Sequence, residues 1–577
     1  MVFVLDSQAL DFHPLLATAP MLPGVRVRLQ QRGITYLTQV FSNILADQLP
    51  RLLIPDVEQK LNNHQGVIRI SRIRISRFRR AEIQSLTPSS PNRISWTMSN
   101  LDLGLMGDLS GNVNIVLPFN LTGQAEVIAE GLTFHLDSSM EKSLNGSAHI
   151  QTLSCMATIR NVQVINHNGG LFGLAVTVFK QGVSDNVRQL LQGLICKKVR
   201  KYLDEDLNSK LSEVQSKSRL SEAVESNAIR AIPTVNGKKI NIMNLFGKDL
   251  SKDFLIDFRL KDSPICDANS IEVSSLGEIS LNGMGGTPFG PAIMNWPPIS
   301  QQNDDYMLQL LISDYLANSL FYHAYKNHLI HILLTEKTEG VSSFLRTNCD
   351  SSFCISDILP QLAENYPNST LEIALSATRA PALLFSEKNG GVISISVGAV
   401  IIIFVIKDNS RKQAAVIDLD AVADAHLNLQ ANNVSGSVQL TKFDLQNRFN
   451  GVQITNDELA DISLLVSQLL ENMFNEMLVN GFPLPIPRVI QLYRIKLDIL
   501  TRRIYIRTDI TVDEKRLSKL AAQTLFNGPG FRTGFPQNPV FAQPFTTMSP
   551  DIQPVRRPFP VAPHSHPMRV FFREIRV

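Results

Sequence analysis

Twice along the chain, a series of short alternating segments gives way to one long helical pattern faced with leucine, valine and isoleucine. In the first instance the segments "RISWTMSNLDLGL", "GNVNIVLPFNL", "GQAEVIAEGLTFHLD", "SAHIQTLSCMATIRNVQVIN" and "GLAVTVF" precede a helix. That helix carries Val183, Val187, Leu190, Leu191, Leu194, Ile195, Val199, Leu203, Leu207 and Leu211. In the second, strands from "STLEIALSATRAPALLF" through "GSVQLTKFDLQN" precede Leu459, Ile462, Val466, Leu469, Leu470, Met473 and Met477. Alternation at period two with turn residues between segments specifies antiparallel strands, which close into a barrel or a strongly coiled sheet. Apolar residues at steps of three and four specify a helix with one buried stripe.

Each half also opens on a shorter helical pattern. Ile34, Leu37, Phe41, Ile44 and Leu45 follow the strand "GVRVRL", and Pro50 and Pro55 stop them. In the second half a helix is expected from about Asp305 to His328, carrying Leu308, Leu311, Ile312, Tyr315, Leu316 and Leu320. The order helix, coiled sheet, long helix thus occurs twice, without a detectable residue-for-residue repeat. A coiled sheet wrapped around a long helix leaves a tapering apolar gap of the kind acyl chains occupy. Periodicity alone fits an ordinary well-packed core more simply.

At 577 residues the chain exceeds one core. Only 19% of its residues are charged, against about 25% in a typical soluble chain. The net charge of +3 argues against a nucleic-acid binder, which carries a basic excess over a whole face. The one basic run, "RISRIRISRFRR" from Arg69 to Arg80, is interleaved with Ile70, Ile73, Ile75 and Phe78. Those four scatter around a helix but fit a strand whose phase slips at each Ser-Arg pair, as β-bulges make it do. The strand then has an aliphatic dry face and an arginine-lined wet face: Arg69, Arg72, Arg74, Arg77, Arg79 and Arg80.

The longest apolar run, Gly390 to Ile406, is slightly short for a membrane span of about 20 residues, and its β-branched content favours strand. The first twenty residues hold no convincing signal peptide: Leu15 to Ala19 resembles the end of one, but Asp11 and His13 interrupt the apolar region. Five cysteines show no zinc-type spacing. Cys349 and Cys354 suit a small local bridge, and a bridge involving Cys266 is equally open. His323, His328 and His331 do not share a helix face, so solvated histidines are the reading rather than a metal site. No GxSxG, HExxH or GxxxxGK[ST] is present, so the chain reads as no enzyme; an esterase is a remote alternative. Sequons stand at Asn120, Asn145, Asn368 and Asn433.

Several local strings resemble the family of bactericidal/permeability-increasing protein, lipopolysaccharide-binding protein and the plasma lipid-transfer proteins. "PGVRVRLQQRGITYLTQ" is similar to that family's mature start, with "IPD" (Ile54 to Asp56) after the first helix. "TPFGPAIMNWPP" before "LLISDYLANSLFYHAY" resembles its Pro-rich loop, and "NGFPLPIPRVIQLYRIKL" (Asn480 to Leu497) is the most specific string. The resemblance spans Gly24 to Val512. It implies an α+β boomerang: two elongated antiparallel barrels, each wrapped on long helices, joined by a central β-sheet, each with an apolar pocket for phospholipid. It also implies a disulfide between Cys155 and Cys196, secretion, and a monomer acting at a membrane or bacterial surface. Bound lipid is then the only ligand, with no cofactor, metal or nucleic acid.

The expected boundaries are an unassigned segment 1–23, a barrel 24–259, a linker 260–270, a barrel 271–512 and a disordered tail 513–577, rich in Pro and Phe from Asn527 on. Candidate pocket walls are Val187, Leu191 and Ile195 in the first half, and Ile462, Val466 and Leu469 in the second. The family's endotoxin binding is attributed to cations at the first barrel's tip. The tip hairpin is read here as "LGLMGDLSGNVN" (Leu103 to Asn114), which holds no Lys or Arg. The function expected is therefore phospholipid binding and transfer, with lipopolysaccharide capture in innate immunity as the alternative.

Overall fold

The computed structural model describes residues 11–17, 22–48, 56–60, 66–114, 118–166, 180–213, 217–220, 234–235, 238–239, 253–298, 305–338, 344–349, 354–408, 410–430, 433–479, 482–483 and 490–519. In chain order the first half runs β1 (Val25–Gln30), α1 (Gln31–Gln48), β2 (Val57–Lys60), β3 (Gly66–Arg79), β4 (Ile83–Ser89), β5 (Arg93–Asn114), β6 (Pro118–Lys142), β7 (Ala148–Asn166) and α2 (Lys180–Lys201). A π-helical turn, Tyr202–Leu207, leads from α2 into α3 (Asn208–Glu213). Short strands follow: β8 (Lys217–Arg219), β9 (Thr234–Val235), β10 (Lys238–Lys239), β11 (Phe254–Asp257), β12 (Ile265–Cys266), β13 (Ser270–Ser275) and β14 (Glu278–Leu281). The second half comprises β15 (Leu308–Ser313), α4 (Tyr315–Lys326), β16 (His331–Leu334), α5 (Pro360–Asn365), β17 (Thr370–Ala377), β18 (Ala382–Ser386), β19 (Val392–Lys407), β20 (Ser410–Gln430) and β21 (Asn433–Asn450). It ends with α6 (Asn456–Val479), β22 (Phe482–Pro483), β23 (Ile490–Leu500) and β24 (Arg503–Val512).

The fold is α+β and rich in strand. The first-half sheet has the order β2-β3-β5-β6-β7, with β4 also on β5; the second has β16-β17-β19-β20-β21-β22, with β18 also on β19. All pairings are antiparallel, and among the described residues no ladder joins the two ends of either sheet. Helix α2 meets the edge at β7, and α6 meets β21 beyond its short pairing with β22. Strands of 22 and 25 residues, β5 and β6, stay paired by absorbing twist in bulges, with register shifts between Met98 and Leu103. Of the run Gly390 to Ile406, Val392 onward lies in β19, and no described helix is long and apolar enough to cross a membrane.

A third sheet, β12-β13-β1-β15-β24-β23, combines strands from both ends of the chain. β1 lies between β13 and β15, with Val27 opposite Val273 on one side and Leu310 on the other. Gly24 is required at its start, since a Cβ there would stand 2.4 Å from the Leu276 carbonyl oxygen. Buried Glu272 fixes β1 through Arg26 and Arg28 (3.0 Å) and accepts the Trp296 indole N–H at 2.8 Å. A buried charge is tolerated only when paired and bonded in this way.

Two expectations change, for the helix at Asp305 and for the hairpin tip. The helix expected from Asp305 begins at Tyr315, because Leu308–Ser313 is strand β15. Leu311 is fully buried there, between β1 and β24, and central pairing overrides the helical spacing. The stretch Leu103 to Asn114 is the second part of β5, not a hairpin tip: it pairs with β6 up to Asn114 opposite Pro118, and residues 115–117 lie outside the described residues. Of the expected linker, Ile265 and Cys266 pair with β13, and the Cys266 thiol is buried and pushed up to about 11 by that burial. At the start of the expected tail, residues 514–519 are helical and Asn43 donates to Glu514; residues 520–577 lie outside the described residues.

Candidate functional site

The inner face of the first sheet is built by Leu101 of β5, Ala129 and Leu132 of β6, and Ile159 and Val162 of β7, all buried. Leu191 and Ile195 of α2 pack against this cluster together with Phe78, Leu103 and Val127. The Val187 side chain lies outside the described residues. A disulfide joins Cys155 of β7 to Cys196 of α2, with Cα atoms 5.7 Å apart, and holds the helix over the face.

In the second half the inner face of β19 and β20 divides into three zones. At one end Ile403, Val405, Ala415 and Ile417 pack with Leu345, Leu362, Leu371, Val452, Ile454 and Leu459 in a closed core, against which Ile462 rests. At the other end Phe385, Ile393, Ala425 and Ile499 form a second closed cluster. Between them Ile395, Val397, Leu419, Ala421 and Ala423 remain partly exposed although they share that face, with Ile395 opposite Ala423 and Val397 opposite Ala421. Helix α6 runs directly alongside, since Ser463 donates to the carbonyl of Phe443, the residue opposite Ala421. Val466, partly exposed, belongs to this stretch of helix; the Leu469 side chain lies outside the described residues. Ala399, opposite Leu419 on the same face, is buried, so the exposure along this stretch is confined to Ile395, Val397, Leu419, Ala421 and Ala423. A separate cavity of about 550 Å³ between β21 and α6 is lined by Lys442, Asp444, Asn456, Ser463 and Ser467 as well as Phe443 and Leu464, too polar a wall for hydrocarbon.

Strand β3 slips register between Ser71 and Arg74 and again between Ile75 and Arg77, at the two Ser-Arg pairs. Arg72 takes a left-handed φ of 53° at the first bulge, and Ile73 is buried beside it. The arginines are mostly answered by acids. Arg69 pairs with Asp56 at 2.7 Å, Arg72 with Asp108, Arg77 with buried Glu126 at 3.3 Å, and Arg79 with Asp102 at 2.6 Å and Glu82 at 2.8 Å. Arg69 holds the Asp56 carboxyl below its usual range, and Arg79 does the same for Asp102. Arg74 meets the Met106 sulfur and Arg80 the Asn43 amide oxygen, so among the described residues neither has a carboxylate partner.

The remaining expected residues lie apart from these faces. Cys349 and Cys354 are joined in a disulfide beside Asp357, so neither sulfur is a thiolate that could ligate a metal. His323 is buried 3.4 Å from Glu278, while His331 is exposed against Ser376. Asn120 and Asn145 are exposed; Asn368 is exposed but bonded to Asn348; the Asn433 side chain lies outside the described residues.

Sequence reasoning missed how the helices are fixed to the sheet edges. Asn475 donates to the Val438 carbonyl at 2.9 Å and accepts from its N–H at 2.7 Å, while Glu471 accepts from Leu440 N–H at 2.9 Å. Asn208 and Asp204 do the same to Ile150 and Thr152. The signal was an acid and an asparagine four apart, Glu471 and Asn475 within α6 and Asp204 and Asn208 just beyond α2.

These features define a class of strand-rich α+β chain in which long-stranded sheets are each closed along one edge by an apolar helix. Residues 33–214 match the N-terminal domain of the LBP / BPI / CETP family, and residues 248–512 match its C-terminal domain. The chain belongs to that family. It is 26% identical to a lipopolysaccharide-binding protein of Bos taurus over 503 residues, covering 85% of this chain and 93% of the relative. It is 24% identical to a bactericidal permeability-increasing protein of Rattus norvegicus, covering 82% and 91% respectively. A crystal structure of lipopolysaccharide binding protein aligns with a TM-score of 0.46 at 20% identity, covering 85% of this chain and 99% of that one.

Proposed function

We propose that this chain is a non-enzymatic, secreted lipid-binding protein whose two helix-covered sheet faces, arranged as the barrels of a boomerang, take the tails of phospholipid-like amphipaths. The observation that carries this reading is the partly exposed strip Ile395, Val397, Leu419, Ala421 and Ala423 between two closed clusters. Burying one acyl chain there releases about 0.8 kcal/mol per methylene before the costs of association. Leu191 and Ile195 in the first half, and Ile462 and Val466 in the second, are the proposed helix walls, with Val187 and Leu469 assigned by sequence. The division into barrels 24–259 and 271–512 is part of the same proposal. Of the head-group residues, Arg74 and Arg80 are favoured because their donors are not already satisfied by carboxylates.

Lipopolysaccharide capture is the second reading, motivated by the names of the relatives. It asks for several cations on the lipid phosphates, and four of the six arginines from Arg69 to Arg80 already hold acids. We therefore rank carriage of phospholipid between membranes or lipid particles first. The test is native mass spectrometry of the protein from eukaryotic secretion. Phospholipid co-purifying at one or two per chain is expected, and a lipid-free protein that takes none from vesicles overturns the reading.

A further inference from the structure

Upstream of β1, the segment "DFHPLLA" (Asp11 to Ala17) is folded onto the second half of the chain. It forms a compact turn of its own. Pro14–Leu16 is one turn of 3₁₀-helix; His13 accepts from Leu15 N–H through Nδ1 at 3.2 Å and from Leu16 N–H through its carbonyl at 2.9 Å. Two apolar side chains four apart, Phe12 and Leu16, point the same way into one cluster with Phe289, Tyr315, Tyr322, Ala380 and Ala382. Leu16 is 1% exposed, whereas the intervening Leu15 is 63% exposed. Phe12 stands 5.2 Å from Phe289, which also meets Tyr315 and Tyr322 edge-on at 5.9 and 5.7 Å.

The polar contacts read a polypeptide backbone. Ala380 N–H donates to the Asp11 carbonyl at 3.1 Å, and Arg502 donates to the Leu15 carbonyl at 2.6 Å. Lys326 pairs with the Asp11 carboxylate. Donors to two carbonyls four residues apart suit a peptide and have no use for an acyl chain. The groove is therefore built from the second half and filled from the first half's leader. Neither family match, starting at residues 33 and 248, includes this segment.

We propose that this aromatic groove is a peptide-binding site for the pattern Asp-Phe-Xaa-Xaa-Xaa-Leu, occupied in cis by Asp11 to Leu16 and able to take such a peptide in trans when that segment leaves. Two anchors and an acid at fixed spacing are how short linear segments are recognised, with most of the affinity concentrated in a few buried side chains. A tethered copy holds the site by its high effective concentration, so competition in trans requires release. The site is independent of the lipid reading and survives its failure.

The test places a protease site at residues 18–21 of the full chain and compares cut with uncut protein. The probe is a fluorescein-labelled peptide of residues 10–17, followed by anisotropy. Saturable uptake by the cut protein, and little by the uncut, is expected. A probe with Phe12→Ser and Leu16→Ser should bind more weakly by roughly tenfold or more, the scale of a lost anchor. Lys326→Glu in the protein should weaken the native probe and favour one carrying Asp11→Lys. Equal uptake by uncut protein, or no uptake once the fragment has left, overturns the proposal. So does retention of the fragment without exchange, or loss of near-ultraviolet dichroism on cutting, since either makes the segment a fixed part of the core.

Discussion

Asn475 binds both backbone polar groups of Val438, and Asn208 binds both of Ile150 in the same way. In each half an acid one turn earlier takes the N–H two residues along the strand: Glu471 on Leu440, Asp204 on Thr152. Since the i and i+2 residues of a strand point their polar groups to the same side, the acid–Asn pair matches an exposed sheet edge. It closes an edge that would otherwise pair with another chain. Asn475→Leu removes both bonds and leaves two backbone groups unmet, so a loss of about 1–3 kcal/mol is expected in urea unfolding. Amide exchange at Val438 and Leu440 should accelerate with it; unchanged exchange would show that packing alone holds α6.

The first half carries a tie that the second lacks at this place. Cys155 and Cys196 close a loop of sequence separation 41. In the loop-entropy model that contributes roughly 4 kcal/mol. Cys155→Ala with Cys196→Ala is expected to lower stability by about that much, read from the denaturant midpoint. Asn208→Leu in the tied protein should open the β7 edge less than Asn475→Leu opens β21.

The partly exposed strip in the second half predicts the response to added volume. In a solid core, Ala421→Phe or Ala423→Phe overpacks and costs about 1–3 kcal/mol. Where the face borders an empty tunnel, the ring occupies the tail's place. Stability should then hold or rise while co-purified lipid falls, as measured by native mass spectrometry beside thermal unfolding. Loss of stability with unchanged lipid content would locate the ligand elsewhere.

The arginine strand predicts a gain as well as a loss. Arg74→Ala with Arg80→Ala should weaken binding to phosphatidylglycerol vesicles by about 1 kcal/mol per cation, and the difference should shrink as salt rises. Binding to phosphatidylcholine vesicles should not change. Asp108→Asn removes the carboxylate that holds Arg72 and should strengthen anionic-vesicle binding. If both variants match the parent in vesicle sedimentation, this face is merely solvated.

Alternation and helical spacing revealed the strands and both long helices, because a sheet or helix with one wet side leaves its period in the sequence. The slips in β3 were legible for the same reason: Ile70 and Ile73 cannot share a face without an extra residue between them. Leu308–Ser313 misled because Leu310, Leu311 and Ile312 put apolar side chains on both faces of β15, which erases the sequence alternation, and the strand runs into α4 without a breaker. Pairings between β1 and β13 or β15 cross more than two hundred residues, and no local pattern records them. The acid–Asn edge bonds were present as residue types, but an Asn four after an acid on a helix ordinarily reads as a solvated face. Leu15 to Ala19 resembles the end of an export signal, and no period in the sequence announces that Leu16 packs into the aromatic cluster.

His13 makes the docking of the N-terminal segment sensitive to pH. Its ring is held below the ordinary histidine value of 6.5, first by burial and then by the charges of Arg379 and Arg502. Other charged groups around the segment are Asp314, bonded to Arg502, and Asp11 and Lys326, paired to each other. In the docked state neutral Nδ1 accepts from Leu15 N–H; a proton there removes the acceptor and adds a third positive charge. The undocked segment therefore binds more protons, and docking strengthens as pH rises. Full strength is expected above about pH 6.5, with loss as pH falls through that value toward the lower docked pKa. Probe uptake by the cut protein should thus be weaker at about pH 5.5 than at about pH 7.5, by linkage to that one group. His13→Asn keeps an oxygen acceptor for Leu15 N–H without a titrating ring, so a peptide carrying it should bind with a flatter pH profile. An equally steep profile with both peptides would assign the dependence to another group and end the role given to His13.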